Sequence, residues 1–353
     1  MTAVRVDERL DVFGSVAAVE AAVQQVLDAE ARRLTDAGPR VGLVDALRDA
    51  VVGGGKRLRP TFSHWGHVSV AGAPPAADGV VLGAALELVH TFALVHDDVM
   101  DGSDTRRGGP SVHARYAAEH DLEDLCGERR RYAEGMAILV GDLAFNLANR
   151  LVGALPAPVQ EGWHDMCSEL VLGQYLDLAG AATGMRSATY ATRVAALKSG
   201  QYTVVRPLQL GAALAGASAA TIEALSAYGE PIGEAFQLCD DLLGAFGDPA
   251  ETGKPAGADI RDGKPTVLLA LLVERAPAGA RGLLERVGTG DLDEAGVAAV
   301  LELAERTGAR RQVECRIASA VDRARSAVED PALHPAAQPA LLALVERAAW
   351  RDR

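Results

Sequence analysis

Apolar residues recur at three- and four-residue spacing along most of the chain, and alternating patterns suited to strands are scarce, so helices are predicted nearly throughout. A first amphipathic helix is predicted over about Val16 to Leu34, ending before the Asp-Ala-Gly-Pro breaker at 36 to 39, and a second runs into the glycines at 53 to 55. Further breakers fall at 71 to 79, 101 to 110, 153 to 158, 180 to 187, 216 to 221, 247 to 266 and 329 to 339. The intervals are helix-sized and predict about ten to a dozen helices with connections of ordinary length. No internal repeat or dividing linker is visible, so a single all-α domain over residues 1–353 is expected.

Composition narrows the class. The chain has 353 residues, 49% of them hydrophobic, enough to bury a sizeable core. A net charge of −13 disfavours a general nucleic-acid surface and adhesion to anionic lipid, so any phosphate site must be a local basic cluster. Cys126, Cys167, Cys239 and Cys315 lie far apart with no CxxC pair, which argues against zinc or a disulfide framework and fits a reducing cytosol. The opening residues lack a basic segment followed by an apolar one, so no secretory signal is expected. No uninterrupted apolar run reaches the ~18 residues a membrane span needs. A cytoplasmic protein without stable membrane insertion is expected.

The chemistry gathers where apolar runs end. In HTFALVHDDVMD, residues 90 to 101, Asp97 and Asp101 are one helical turn apart on one face, with Asp98 about 100° round. Like charges at a helix C-terminus repel one another and the macrodipole, and a cation would offset both. Oxygen-only ligands select a hard ion such as Mg²⁺, which leaves coordination positions open for substrate phosphates. Alone, the motif fits a solvated acidic helix end equally well. A second pair, Asp240 and Asp241, follows the apolar run in FQLCDDLLGAFGD, and two such helices facing one another would suit a polyphosphate.

Basic residues lie close to both pairs in sequence. GGGKRLRP places Lys56, Arg57 and Arg59 beside three glycines that allow close approach of backbone amides to an anion, although it is no P-loop. Arg106 and Arg107 follow the first acidic motif, and Lys198, Lys254 and Lys264 supply further cations. Each lysine alone reads as a solvated surface residue. Together, in an acidic chain, they point to two anionic groups, one bound through metal and one directly by Lys and Arg. The apolar run before Asp97 adds a greasy interior, as a diphosphate with a hydrocarbon tail requires.

GGGKRLRP, ELVHTFALVHDDVMDGSDTRRGGPSVH, LKSGQYTVVRPLQLGA and FQLCDDLLGAFGDPAETGKPAGADIRDGKPT occur in the order seen in trans-isoprenyl diphosphate synthases, the polyprenyl synthetase family, which the chain resembles from about residue 40 to 270. The resemblance implies an all-α isoprenoid synthase bundle around a central cavity, usually a homodimer, joining an allylic diphosphate head-to-tail to isopentenyl diphosphate. It implies Mg²⁺ held by Asp97, Asp101 and Asp240, three ions with substrate bound, with Asp98 and Asp241 in support. Arg106, Lys198, Ser199, Gln237 and Lys254 would hold the allylic diphosphate, with Lys264 assisting, and Lys56, Arg59, His90 and Arg107 would hold isopentenyl diphosphate. Ser199 stands where threonine is common and keeps its hydroxyl.

His90, seven residues before Asp97, shares its face, whereas His96 faces elsewhere and is read as structural. In DDLLG, Gly244 replaces a third aspartate of many relatives, and Asp248 is the expected partial substitute. Phe92 lies five residues before Asp97, ~7.5 Å nearer the helix N-terminus, where it would floor the elongation cavity. With small Ala93 beside it, this resembles twenty-carbon (geranylgeranyl) synthases more than farnesyl or longer-chain ones. A class I terpene cyclase is disfavoured by GGGKRLRP and by the missing Asn/Ser/Glu metal motif. A non-catalytic subunit is disfavoured by the intact first aspartate motif.

Overall fold

The computed structural model describes residues 16–35, 42–247 and 257–349. They fall into two compact units, one built from residues 16–35, 42–64 and 74–160, the other from 65–73, 161–247 and 257–349. Neither unit is a contiguous stretch of chain.

The first unit contains α1 (Val16–Thr35), α2 (Gly42–Val52), the opening of α3 (Leu58–Ala71), α4 (Ala77–Asp101), α5 (Val112–Leu122) and α6 (Arg129–Val152). α4 packs along α6, and α1, α2 and α5 lie against this pair. Leu27, Leu47, Leu82, Leu86, Leu88 and Leu147 are fully buried, each stabilising the unit by about 1.5–3 kcal/mol. Glu30 of α1 is completely buried and accepts from Arg33 and, at 3.0 Å, from Arg150 of α6, so the charge is compensated while it ties the two helices together.

α4 and α6 are long and apolar enough by length and composition to cross a membrane, and 56% and 39% of their apolar windows are buried inside the protein. Polar residues such as Glu87, His90 and Asp142 interrupt both runs in the sequence, which is why no uninterrupted stretch was visible. The arginines of CGERRRY, residues 126 to 132, open α6. Glu128 caps them by accepting from the Arg130 and Arg131 amides, and Asp121 and Glu134 offset the cations at the helix N-terminus.

The second unit holds most of α7 (Ala157–Ala182), α8 (Ala188–Ala195), a π-helical segment (Ala196–Val205), α9 (Arg206–Leu214), α10 (Ala219–Phe246), α11 (Ala258–Arg261), α12 (Val267–Arg275), α13 (Arg281–Glu285), α14 (Glu294–Arg306), α15 (Ala309–Ala327) and α16 (Gln338–Ala349). There are more segments than the sequence pattern predicts because α8 to α9 is one run divided by the π segment, and α11 and α13 are single turns. Ser187 and Ser218 cap α8 and α10. Trp163, Met166, Leu208, Leu210 and Tyr228 fill the core, with the Tyr228 hydroxyl donating to the Leu341 carbonyl at 2.8 Å.

The wide π segment fits only because its neighbours lack side chains. A Cβ at Gly233 of α10 would lie 2.6 Å from Gly200 Cα, and one at Gly173 of α7 would lie 2.5 Å from the Lys198 nitrogen.

Candidate active site

In the first unit, α4 ends at Asp101 with Gly102 in the left-handed region at φ 61, its amide donating to the Asp98 and Val99 carbonyls. The chain then forms a minimal hairpin, Thr105–Arg106 against Gly109–Pro110, turned by Arg107 and Gly108 at φ 53 and 76. This hairpin carries Arg106 back to the aspartates. Arg106 donates to Asp98 Oδ1, with Nε at 2.9 Å, and stands 3.7 Å from Asp97 Oδ2. Burial opposes the Arg106 charge, but Asp98, Asp97 and Asp101 outweigh it and raise its pKa. Asp98 is buried beneath this contact, while Asp97 and Asp101 remain partly exposed.

Behind the hairpin lies a cationic cradle. Arg107 lies over the glycine-rich loop, a Cβ at Gly55 being 3.1 Å from its guanidinium. Lys56 is exposed and Arg59 buried. Desolvation, then the nearby Arg59, Arg107, Arg106 and Arg57 charges, hold the His90 pKa well below its ordinary value, so His90 is a neutral imidazole at pH 7. Arg57 is bound to Glu87, Glu20 and the Val51 carbonyl.

About 1.4 helical turns above Asp97, the Phe92 ring packs against Phe145 of α6, centroids 4.8 Å apart, and against His96 at 4.6 Å. His96 lies 3.1 Å from the Ile138 carbonyl, over Gly141, where a Cβ would meet its ring at 2.3 Å. It has the packing role that the sequence reading gives it.

In the second unit, Asp240 and Asp241 end the apolar face of α10. Burial pushes the Asp241 carboxyl up to about 7; Gln237 Nε2, donating to Oδ1 at 2.7 Å, opposes this, while Asp259 and Asp240 reinforce it. Lys198, on the π segment, forms an ion pair with Asp177 Oδ2 of α7 at 2.6 Å. Ser199 follows on the same segment. Lys264 Nζ stands 3.8 Å from Asp259 Oδ1. Lys254 and Asp248 lie outside the described residues.

Three carboxylates absent from the sequence reading therefore share space with expected site residues: Asp177 with Lys198, Asp259 with Asp241 and Lys264, and Glu87 with the glycine-rich loop. Among the described residues no group of three His, Cys, Asp or Glu side chains is arranged to hold a metal ion without other ligands. Oxygen-only donors that leave positions open match an ion whose shell is completed by phosphate.

The polyprenyl synthetase family model matches residues 41–304. The short chain isoprenyl diphosphate synthase of Methanothermobacter thermautotrophicus is 35% identical over 294 residues, covering 81% of this chain and 83% of that protein. The nonaprenyl diphosphate synthase of Mycobacterium tuberculosis is 32% identical over 268 residues, covering 76% of this chain and 73% of that one. The crystal structure of geranylgeranyl pyrophosphate synthase from Corynebacterium glutamicum, complexed with isoprenyl diphosphate and magnesium, superposes with a TM-score of 0.91 at 36% identity, over 97% of this chain and all of that one.

Proposed function

The chain belongs to the polyprenyl synthetase family, a prenyltransferase that lengthens prenyl diphosphates, and we propose that its product is geranylgeranyl diphosphate. Relatives of similar identity are named for products from short-chain to nonaprenyl, so overall likeness does not select a length. The observation that carries the reading is the Phe92–Phe145 ring contact, with centroids 4.8 Å apart, about 1.4 helical turns from Asp97. A paired ring resists displacement by a growing chain better than a lone one. One aromatic stop beside small Ala93 leaves room for a longer tail than two stops would.

We further propose that Asp97 and Asp101, and likewise Asp240, ligate Mg²⁺, in three ions when substrate is bound. Bound Mg²⁺ supplies positive charge to the allylic diphosphate as its C–O bond breaks. Lys198, Ser199, Gln237, Lys254 and Arg106 hold that diphosphate, with Lys264 assisting, and Asp98 and Asp241 orient the ligands. Lys56, Arg59, His90 and Arg107 hold isopentenyl diphosphate so that its double bond attacks the allylic carbon. The departing diphosphate takes the bonding electron pair and then the proton released as the new double bond forms. Apolar walls keep water from capturing the cation.

A homodimer and a cytoplasmic location belong to the same proposal. Ile138 and Leu139 on α6 are 42% and 53% exposed, as an unpartnered helix face would be, and none of the four cysteines forms a disulfide. Light scattering on the purified protein tests the dimer. Chromatographic sizing of the dephosphorylated product tests the assignment of chain length.

A further inference from the structure

Arg57 of the glycine-rich loop makes three side-chain hydrogen bonds, and it takes no part in substrate binding in the reading above. Its backbone lies at φ 47, a left-handed conformation unfavourable for a residue with a Cβ. Its side chain compensates by reaching three helices. Nη1 donates to Glu87 Oε2 of α4 at 2.5 Å, Nε to Glu20 Oε1 of α1 at 3.1 Å, and Nη2 to the Val51 carbonyl of α2 at 3.1 Å.

Glu87 is 3% exposed and sits three residues before His90 on the same helix. A carboxylate so buried persists only with a partner, and Arg57 supplies it. The residues that flank Arg57 in sequence, Lys56 and Arg59, are assigned above to isopentenyl diphosphate. From the other side Arg107 covers Gly55, so the loop is gripped at two points.

We propose that Glu87 and Arg57 are a positioning pair for the isopentenyl diphosphate site: their buried ion pair locks the left-handed turn and so sets where Lys56 and Arg59 meet the diphosphate. The proposal rests on the assignment of those two residues to that substrate. A purely electrostatic role for Glu87 predicts the opposite sign. Removing its negative charge raises the positive potential of the cradle and tightens an anion, whereas loosening the turn misplaces the contacts and weakens it. The direction of the change separates the two.

The test compares Glu87→Gln, Arg57→Gly, the double variant and Lys56→Ala, measuring KM for isopentenyl diphosphate at saturating allylic substrate, KM for the allylic substrate, and Tm. Glycine suits the left-handed backbone, so Arg57→Gly removes the ion pair without straining the turn. Each single variant of the pair is expected to raise KM for isopentenyl diphosphate about tenfold, with KM for the allylic substrate within about twofold and the double within about threefold of the worse single. An unchanged or lowered KM in both variants, or equal rises for both substrates, overturns the pair. If Lys56→Ala raises that KM while the pair variants do not, only the positioning role falls. If Lys56→Ala also leaves it unchanged, the substrate assignment falls with it.

Discussion

The carboxylate of Asp259 fills the space beside Gly244, where a Cβ would stand 2.3 Å from Asp259 Oδ2. The Gly257 amide donates to the Gly244 carbonyl at 3.1 Å, so the chain returns to α10 at this point and delivers a carboxylate from α11. The acid missing from the second motif in sequence is thus matched by one nearby in space, and its negative charge contributes to raising the Asp241 pKa.

Gly244→Asp therefore does not restore a lost ligand. It forces a side chain into the Asp259 carboxylate and adds a like charge, with an expected destabilisation of about 1–3 kcal/mol. Thermal unfolding should show a lower Tm, and adding Asp259→Ala should recover part of the loss. A Gly244→Asp variant of unchanged Tm with tighter Mg²⁺ binding would contradict this packing.

Lys198 and Asp177 form a second partnership that local spacing does not show. Removing the lysine leaves the buried Asp177 carboxylate without its cation and takes a charge from the proposed allylic diphosphate site. A charged hydrogen bond of about 1.5–3 kcal/mol corresponds to a ten- to hundredfold fall in kcat/KM for the allylic substrate in Lys198→Ala. Steady-state kinetics check this, and an equal fall for isopentenyl diphosphate at saturating allylic substrate would point to general disruption.

These contacts mark the limit of what the sequence discloses. The long helices and their ends were legible because Gly and Pro clusters punctuate them: the helix expected from Val16 spans Val16–Thr35, and the one expected to reach the glycines stops at Val52. The first acidic motif was legible because Asp97 and Asp101 fall on one helical face. Asp177, Glu87 and Asp259 were not, since each is a lone carboxylate whose partner comes from another element. Asp248, the substitute expected for the missing acid, lies outside the described residues. The π segment over Ala196–Val205 depends on glycines of α7 and α10, which no local pattern reports.

His90 makes stability depend on pH in a defined direction. Its folded pKa lies below the unfolded value of about 6.5, so above pH 7 both states are neutral and it contributes nothing. As pH falls through about 6.5 the unfolded chain takes up a proton that the folded protein declines, and stability is lost. Tm measured from pH 8 to pH 5.5 should therefore fall more in the wild type than in His90→Gln. Parallel curves would contradict the neutral assignment.

Phe92→Ala removes one ring of the tilted Phe92–Phe145 pair and opens the proposed floor. Its main product should be one or more five-carbon units longer than that of the wild type, while Phe92→Leu, which keeps most of the volume, should change it less. The cavity also costs about 3–5 kcal/mol where a buried Phe is lost, less here because the ring is partly exposed, so Tm should fall modestly. An unchanged product distribution would place the floor elsewhere.

The most direct measurement is the chain length made by the purified wild-type enzyme from isopentenyl and dimethylallyl diphosphates, with Mg²⁺ and with the metal removed by EDTA. Geranylgeranyl diphosphate as the main product, formed only with the divalent ion, is the expected result. A farnesyl or longer main product, or synthesis that persists after chelation, would contradict it.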